Sequence, residues 1–161
     1  MYPHPGATGK EGHINKDVRN VNVYDIPYNN ETSNIYSKIA HLITKVNSEY
    51  YQYDLSSIQH SLQLLHYKED PERHSHYDWH VDFGPGPMST RKLSVSIQLS
   101  NPDKYEGGDL ELNDHGKMIT APKERGAISI FPSYMYHRVK DITKGERWAL
   151  VIWVHGFRRF K

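Results

Sequence analysis

A chain of 161 residues is long enough for one domain with a real core, and the absence of cysteine excludes a disulfide framework and any thiolate metal site. With 20 Lys and Arg against 19 Asp and Glu, the formal net charge of +1 gives no argument for a nucleic-acid or anionic-membrane partner. The polar start, Met1 to Gly12, lacks the apolar core of a leader peptide and any run long enough to span a bilayer, which predicts a cytoplasmic protein without membrane contact.

Residues 1–20 are rich in Gly, Pro, Lys and Asn and show no apolar period, so they read as a flexible arm ahead of a single domain over 21–161. Between Glu31 and Asn47, the apolar positions Ile35, Ile39, Leu42, Ile43 and Val46 follow helical spacing, with Ser33 or Asn30 available as N-cap. From Ser61 onward the texture changes to short alternating or β-branched segments separated by Gly, Pro, Asn and Asp. Strands are predicted near 62–68, 77–82, 92–99, 108–112, 117–120, 127–131, 136–140 and 147–155. In Leu93-Ser94-Val95-Ser96-Ile97-Gln98-Leu99, the apolar members face one layer while Ser94, Ser96 and Gln98 face the other side. A mainly β fold with one N-terminal helix, built as a double-stranded β-helix or jelly roll around a central pocket, fits this pattern.

The 11 histidines have to be sorted. His4, His13, His41, His60 and His115 lie in segments without a supporting pattern and read as surface. In Tyr77-Asp78-Trp79-His80-Val81-Asp82, a period of two sends His80 and Asp82 to one face, where both can ligate one ion. His76 and Asp78 make a second pair of the same spacing, and spacing alone does not choose between them. A separate imidazole cluster of His74, His76 and His80 lacks a further ligand at suitable spacing. The third element is Tyr136-His137-Arg138-Val139, followed by a turn over 141–146 and then Arg147 to Trp153. A turn of that length predicts a hairpin that sets His137 within reach of Arg147 on the neighbouring strand. Arg147, Ala149, Val151 and Trp153 share one face of that strand. Two imidazoles and one carboxylate with open positions form the facial triad of non-haem iron oxygenases. Gly107-Gly108 reads as a turn needing positive φ, and Gly84-Pro85-Gly86-Pro87 as a loop beside the metal ligands.

The ordered series Gln63-x-Leu65-His66-Tyr67, Tyr77-x-x-His80-x-Asp82, Gly107-Gly108-Asp109-Leu110, Gly126 with Phe131-Pro132, and His137 with Arg147 ten residues on resembles the iron(II) and 2-oxoglutarate dioxygenases related to prolyl 4-hydroxylases. The resemblance runs over about residues 17 to 156 and selects His80 and Asp82 over His76 and Asp78, because Tyr77 stands where the family has a tyrosine three residues before the ligating histidine. It implies that His80, Asp82 and His137 bind iron(II), and that Arg147 binds the distal carboxylate of 2-oxoglutarate. It further implies that Tyr67 hydrogen-bonds that co-substrate, that Trp153 lies beside it, and that Gln98 stands where some relatives carry a co-substrate tyrosine. Tyr77, Trp79 and Arg91 are the candidates for substrate contact. The implied reaction uses dioxygen to hydroxylate a C–H bond, with release of succinate and carbon dioxide, on a prolyl residue of a peptide or protein. Ascorbate is a further expectation, since relatives often use it to keep iron reduced. A carboxylate at Asp82 argues against halogenation, for which a small residue there would be needed. The competing expectations are an oxygenase of the same fold acting on a free amino acid or other small molecule, and a jelly-roll module that keeps a metal without turnover.

Overall fold

The computed structural model describes residues 2–7, 14–59 and 61–160. Its strands in chain order are β1 (His4–Pro5), β2 (Arg19–Asn20), β3 (Asn22–Pro27), β4 (Leu55–Ile58), β5 (Ser61–Lys68), β6 (His76–His80), β7 (Arg91–Gln98), β8 (Tyr105–Gly107), β9 (Leu110–Asp114), β10 (Lys117–Thr120), β11 (Ile128–Pro132), β12 (Tyr136–Val139) and β13 (Ile142–Gly156). One helix, α1 (Ser33–Val46), lies between β3 and β4. The strands form two antiparallel sheets. The larger runs β1-β3-β5-β13-β7-β11, with β4 and β8 also pairing β13, and the smaller runs β10-β9-β12-β6-β2.

The alternation expected from the sequence holds in β7 and β13. On β13, Leu150, Ile152 and Val154 face outward and pack with Leu93 and Val95 of β7 against Tyr36, Ile39 and Ile43 of α1. Each of those helix side chains is buried, worth about 1.5 to 3 kcal/mol relative to exposure. Tyr36, and not the expected Ile35, completes the buried stripe, because its hydroxyl donates to the Ile26 carbonyl at 2.7 Å and accepts from the Leu62 amide at 3.1 Å, while Ile35 is exposed. The helix begins after Thr32, where the Asn29 side chain accepts from the amides of Glu31 and Thr32, so neither Ser33 nor Asn30 is the cap. The second core lies between the sheets and includes Val23, Leu65, Tyr67, Leu112, Phe131 and Ile142.

The predicted hairpin between His137 and Arg147 is not what forms. β12 pairs with β6 and β9 in the smaller sheet, whereas β13 pairs with β5 and β7 in the larger. The chain crosses between sheets at Lys140 and Asp141, and the two residues meet across the sandwich instead of along one ladder. Gly107 and Gly108 permit this crossing, with φ of +77° and +62°. A Cβ at Gly107 would lie 2.0 Å from the Asp141 carbonyl oxygen, and one at Gly108 would lie 2.3 Å from Ile142 Cδ1. Strands β1 to β4 and β8 were not anticipated. Within the stretch read as an arm, His4–Pro5 pairs with β3 and Arg19–Asn20 with β6, and Gly6 donates its amide to Val21 at 3.0 Å.

Candidate metal centre and its cavity

His80 ends β6 opposite His137 on β12. The pairing then slips, from His137 opposite His80 to Val139 opposite Tyr77, so β6 carries one residue more than its partner over this span. That extra residue is a bulge, and it resets the parity of the strand. Tyr77 and His80 consequently share the inner face, their rings stacked with centroids 3.4 Å apart, while His76 and Asp78 border a groove on the outside of the smaller sheet. The ambiguity between two His-x-Asp pairs is resolved by this bulge. His76 is occupied elsewhere, with its ring nitrogens 2.9 and 3.0 Å from the carbonyls of His74 and Asp17.

Asp82 follows β6, with its amide donating to the Ser133 carbonyl at 2.9 Å. One carboxylate oxygen lies 3.7 Å from His80 Nε2 and the other 3.5 Å from His137 Nε2. Among the described residues, His80, Asp82 and His137 are the group of His, Asp or Glu side chains whose ligand atoms gather tightly enough for one ion, all within 4.8 Å of one another. Each histidine presents Nε2 for a physical reason. Nδ1 of His80 lies 2.7 Å from the Asp78 carbonyl and Nδ1 of His137 lies 2.9 Å from the Met135 carbonyl, so each proton is placed on Nδ1 and the Nε2 lone pair is free. Burial, then the neighbouring His137, pushes the His80 imidazole well below its usual range and keeps it neutral. Burial works to raise the Asp82 carboxyl, but the two imidazoles and a 2.7 Å hydrogen bond from Ser94 Oγ hold it below the carboxylate range. Neutral imidazoles and an ionised carboxylate are what a divalent ion needs.

Arg147 is buried and lines the same narrow cavity as the three candidate ligands, a space of about 40 Å³. Its guanidinium lies 5.4 Å from the Tyr67 ring and pairs with no carboxylate among the described residues. A buried cation without a counter-charge is costly, so this one calls for an anion from outside the described chain. Burial raises the fully enclosed Tyr67 hydroxyl, against the opposing pull of Arg147, so it stays protonated and able to donate. Trp153 borders the cavity with Nε1 buried on the side of the Asp82 carboxylate, which it helps to hold ionised. Gln98 is buried one step further along, donating to the Tyr105 hydroxyl and lining a smaller space that Arg147 also borders.

Of the three residues expected to meet substrate, Tyr77 and Arg91 line an open groove of about 450 Å³ that begins at His80 and Asp82. Arg91 reaches the Asp82 carbonyl at 3.2 Å and Gln59 Oε1 at 2.9 Å. Trp79 is not brought to the cavity. The bulge leaves it stacked on Tyr136 with centroids 5.4 Å apart, under the Arg138 guanidinium. Arg19 was missed. It is buried, lies 4.6 Å over the Tyr77 ring and borders both cavity and groove. Of the histidines read as surface, His4 contacts Asp25 at 3.0 Å and His115 contacts Asp114 at 2.9 Å, while His13 and His60 lie outside the described residues.

The model of the 2OG-Fe(II) oxygenase superfamily matches residues 62–155, which include all three candidate ligands and Arg147. The chain belongs to the 2OG-Fe(II) oxygenase superfamily. Membership brings iron(II), 2-oxoglutarate and dioxygen to the site. The donor set fits the metal, and the uncompensated Arg147 beside the protonated Tyr67 fits a dicarboxylate. A PKHD-type hydroxylase of Synechococcus sp. (strain CC9311) is 34% identical over 86 residues, 53% of this chain and 39% of that protein. One from Hyphomonas neptunium (strain ATCC 15444) is 37% identical over 84 residues, 50% and 38% respectively. The match thus spans about two fifths of the length of these relatives. Among solved structures, a prolyl hydroxylase from Trichoplax adhaerens, in complex with a hypoxia inducible factor oxygen degradation domain peptide fragment, superposes with a TM-score of 0.78 at 18% identity, covering 95% of this chain and 70% of that one. A prolyl-4-hydroxylase from Pseudomonas putida gives 0.70 at 17% identity, covering 88% and 74%. These likenesses establish the jelly-roll fold of the superfamily. No described helix is long and apolar enough to cross a membrane.

Proposed function

We propose that this protein is a 2-oxoglutarate-dependent hydroxylase acting on a prolyl residue of a peptide or protein. The observation that carries the reading is the convergence of His80, Asp82 and His137 in one cavity with a buried guanidinium, Arg147, that has no carboxylate partner among the described residues. When bound, iron(II) would activate dioxygen, with 2-oxoglutarate as the two-electron donor that leaves as succinate and carbon dioxide, so that one oxygen atom goes to succinate and the other to the C–H bond.

The chain's own groups bind and orient. His80, Asp82 and His137 are the metal ligands, and three protein ligands leave coordination positions for molecules from outside. Arg147 takes the distal carboxylate of the co-substrate and Tyr67 donates to it, in an enclosed setting where charge-assisted bonds are strong. Tyr77 stacks on His80 and fixes the ring plane of that ligand. Trp153 and Arg91 form the wall where the narrow cavity opens into the groove. An open groove of about 450 Å³ suits a segment of polypeptide, and a peptide is also the bound partner named for the Trichoplax neighbour.

The test is to incubate the purified protein with iron(II), 2-oxoglutarate, ascorbate and a panel of prolyl peptides, measuring succinate and the gain of one oxygen by mass spectrometry. Succinate coupled to an oxidised peptide is expected, with none from His137→Ala. Arg147→Ala should retain metal and raise the 2-oxoglutarate KM by about 10 to 100-fold. No succinate above the His137→Ala background would sink the reading, and oxidation of free amino acids in preference to peptides would replace the substrate class.

A further inference from the structure

Trp153 Nε1 aside, which lies on the side of the Asp82 carboxylate, three buried side-chain polar atoms among the described residues have no hydrogen-bond partner: Arg19 Nε, Arg91 Nε and Gln63 Oε1. All three residues line the groove beside the metal ligands. Buried polar atoms are satisfied in the great majority of cases, so three exceptions gathered on one wall mark a surface whose partner is a ligand. Their chemistry states what that ligand offers. Two are donors and one is an acceptor.

Charge sharpens the reading. Arg19 is 8% exposed, and its one hydrogen bond among the described residues is from Nη1 to the Ala7 carbonyl at 3.0 Å. Arg91 spends its two Nη groups on a backbone carbonyl and an amide oxygen. Neither guanidinium has a carboxylate partner among the described residues. Among the described residues, Asp82 is the one acidic residue lining the groove, and it belongs to the candidate metal ligands. Each guanidinium lies against an aromatic ring, Arg19 at 4.6 Å from Tyr77 and Arg91 at 4.0 Å from Trp153, so both are held in place beside the reacting position. A wall with two fixed cations and, among the described residues, no spare anion attracts an acidic ligand and rejects a basic one.

We infer that the groove selects a substrate carrying a carboxylate close to the oxidised C–H bond, to which Arg19 and Arg91 donate, together with an N–H group that donates to Gln63 Oε1. The inference rests on the hydroxylase reading for the identity of the groove and adds the substrate's charge. A glutamyl or aspartyl side chain beside the reacting residue meets this description, and so does the α-carboxylate of a free amino acid.

The experiment uses protein loaded with Mn(II) and 2-oxoglutarate under argon. Probes are a blocked peptide, acetyl-Gly-Glu-Pro-Glu-Gly-amide, its Gln-for-Glu counterpart, and free L-proline, with binding read by line broadening of probe resonances. The Glu peptide is expected to bind about tenfold or more tighter than the Gln peptide. Arg19→Gln should abolish that preference and Arg19→Lys should retain part of it, with Mn(II) affinity unchanged in both. Binding of L-proline but of neither peptide would assign the α-carboxylate as the source. Equal binding of Glu and Gln peptides, binding of no probe, or a preference that survives Arg19→Gln would overturn the inference. Loss of Mn(II) affinity in Arg19→Gln would also overturn it, by reducing Arg19 to a brace for Tyr77 and His80. The same samples with iron(II) in air separate the two claims. Arg19-dependent binding without succinate leaves the anion site standing and removes the hydroxylase, whereas equal hydroxylation of Glu and Gln peptides does the reverse.

Discussion

A hydroxyl at position 94 lies 2.7 Å from one oxygen of Asp82 and 3.0 Å from the Ser133 hydroxyl, so the carboxylate is oriented by the chain itself. Groups that orient a ligand in this way typically contribute 10 to 100-fold, as an order of magnitude, to metal affinity. Ser94→Ala is therefore expected to weaken Mn(II) binding by about that factor in a fluorescence or calorimetric titration while leaving the fold intact, and undiminished affinity would remove the role. His80 carries a second expectation. Its folded value is depressed from the ordinary 6.5, by burial first and then by His137, so the unfolded chain binds the proton more readily. Its contribution to stability is present above the unfolded value and is lost as pH falls toward the folded one. The melting temperature of metal-free protein should fall between about pH 6.5 and about pH 5, with a shallower slope in His80→Asn. Equal slopes would show that this imidazole does not set the acid sensitivity.

The element that separates legible from illegible here is β6. Period-two reasoning brought His80 and Asp82 together and likewise predicted the cavity face of β13, because both depend only on local alternation. It was silent on Tyr77, which reaches the same face as His80 through a bulge set by the register of β12. Trp79 was named for its place next to the ligands in sequence, although alternation from His80 turns it to the opposite face, where it stacks on Tyr136. The hairpin between His137 and Arg147 failed on a different ground. The connecting residues suit a tight turn or a crossing between sheets, and what decides is the room that Gly107 and Gly108 leave for Asp141 and Ile142. Gly108→Val is accordingly expected to destabilise by about 2 kcal/mol or more, since it combines positive φ with a collision against Ile142 Cδ1. It should also weaken 2-oxoglutarate binding, because Arg147 Cδ is 3.1 Å from the added carbon. A melting curve like that of the parent protein would contradict the first expectation. Arg19 left no trace in the sequence, as it sits in a stretch without apolar period and gains its meaning only from pairing opposite Tyr77.

At the scale of the molecule, the sandwich encloses, between its two layers, a cluster of ligand atoms and the Arg147 guanidinium, which has no carboxylate partner among the described residues. Filling that space relieves a cost that the empty fold bears, so the native state should be strongly linked to its ligands. Mn(II) and 2-oxoglutarate, each at about one hundred times its dissociation constant, should each add about 2.7 kcal/mol of stability, visible as a raised melting temperature by calorimetry. Asp82→Ala should erase the metal-dependent part of that rise, and an unchanged rise would move the ion elsewhere.

The 15-residue strand β13 acts in this light as a ruler. Its ladders with β5 and β7 lock the height of Arg147 within the sandwich. Sliding it by one residue would turn the guanidinium out of the sandwich, and sliding it by two would shift it by about 7 Å. A homologous keto diacid longer by one methylene falls between those graduations. The strand has no intermediate setting, so tolerance for such a compound has to come from side-chain torsion in Arg147 alone.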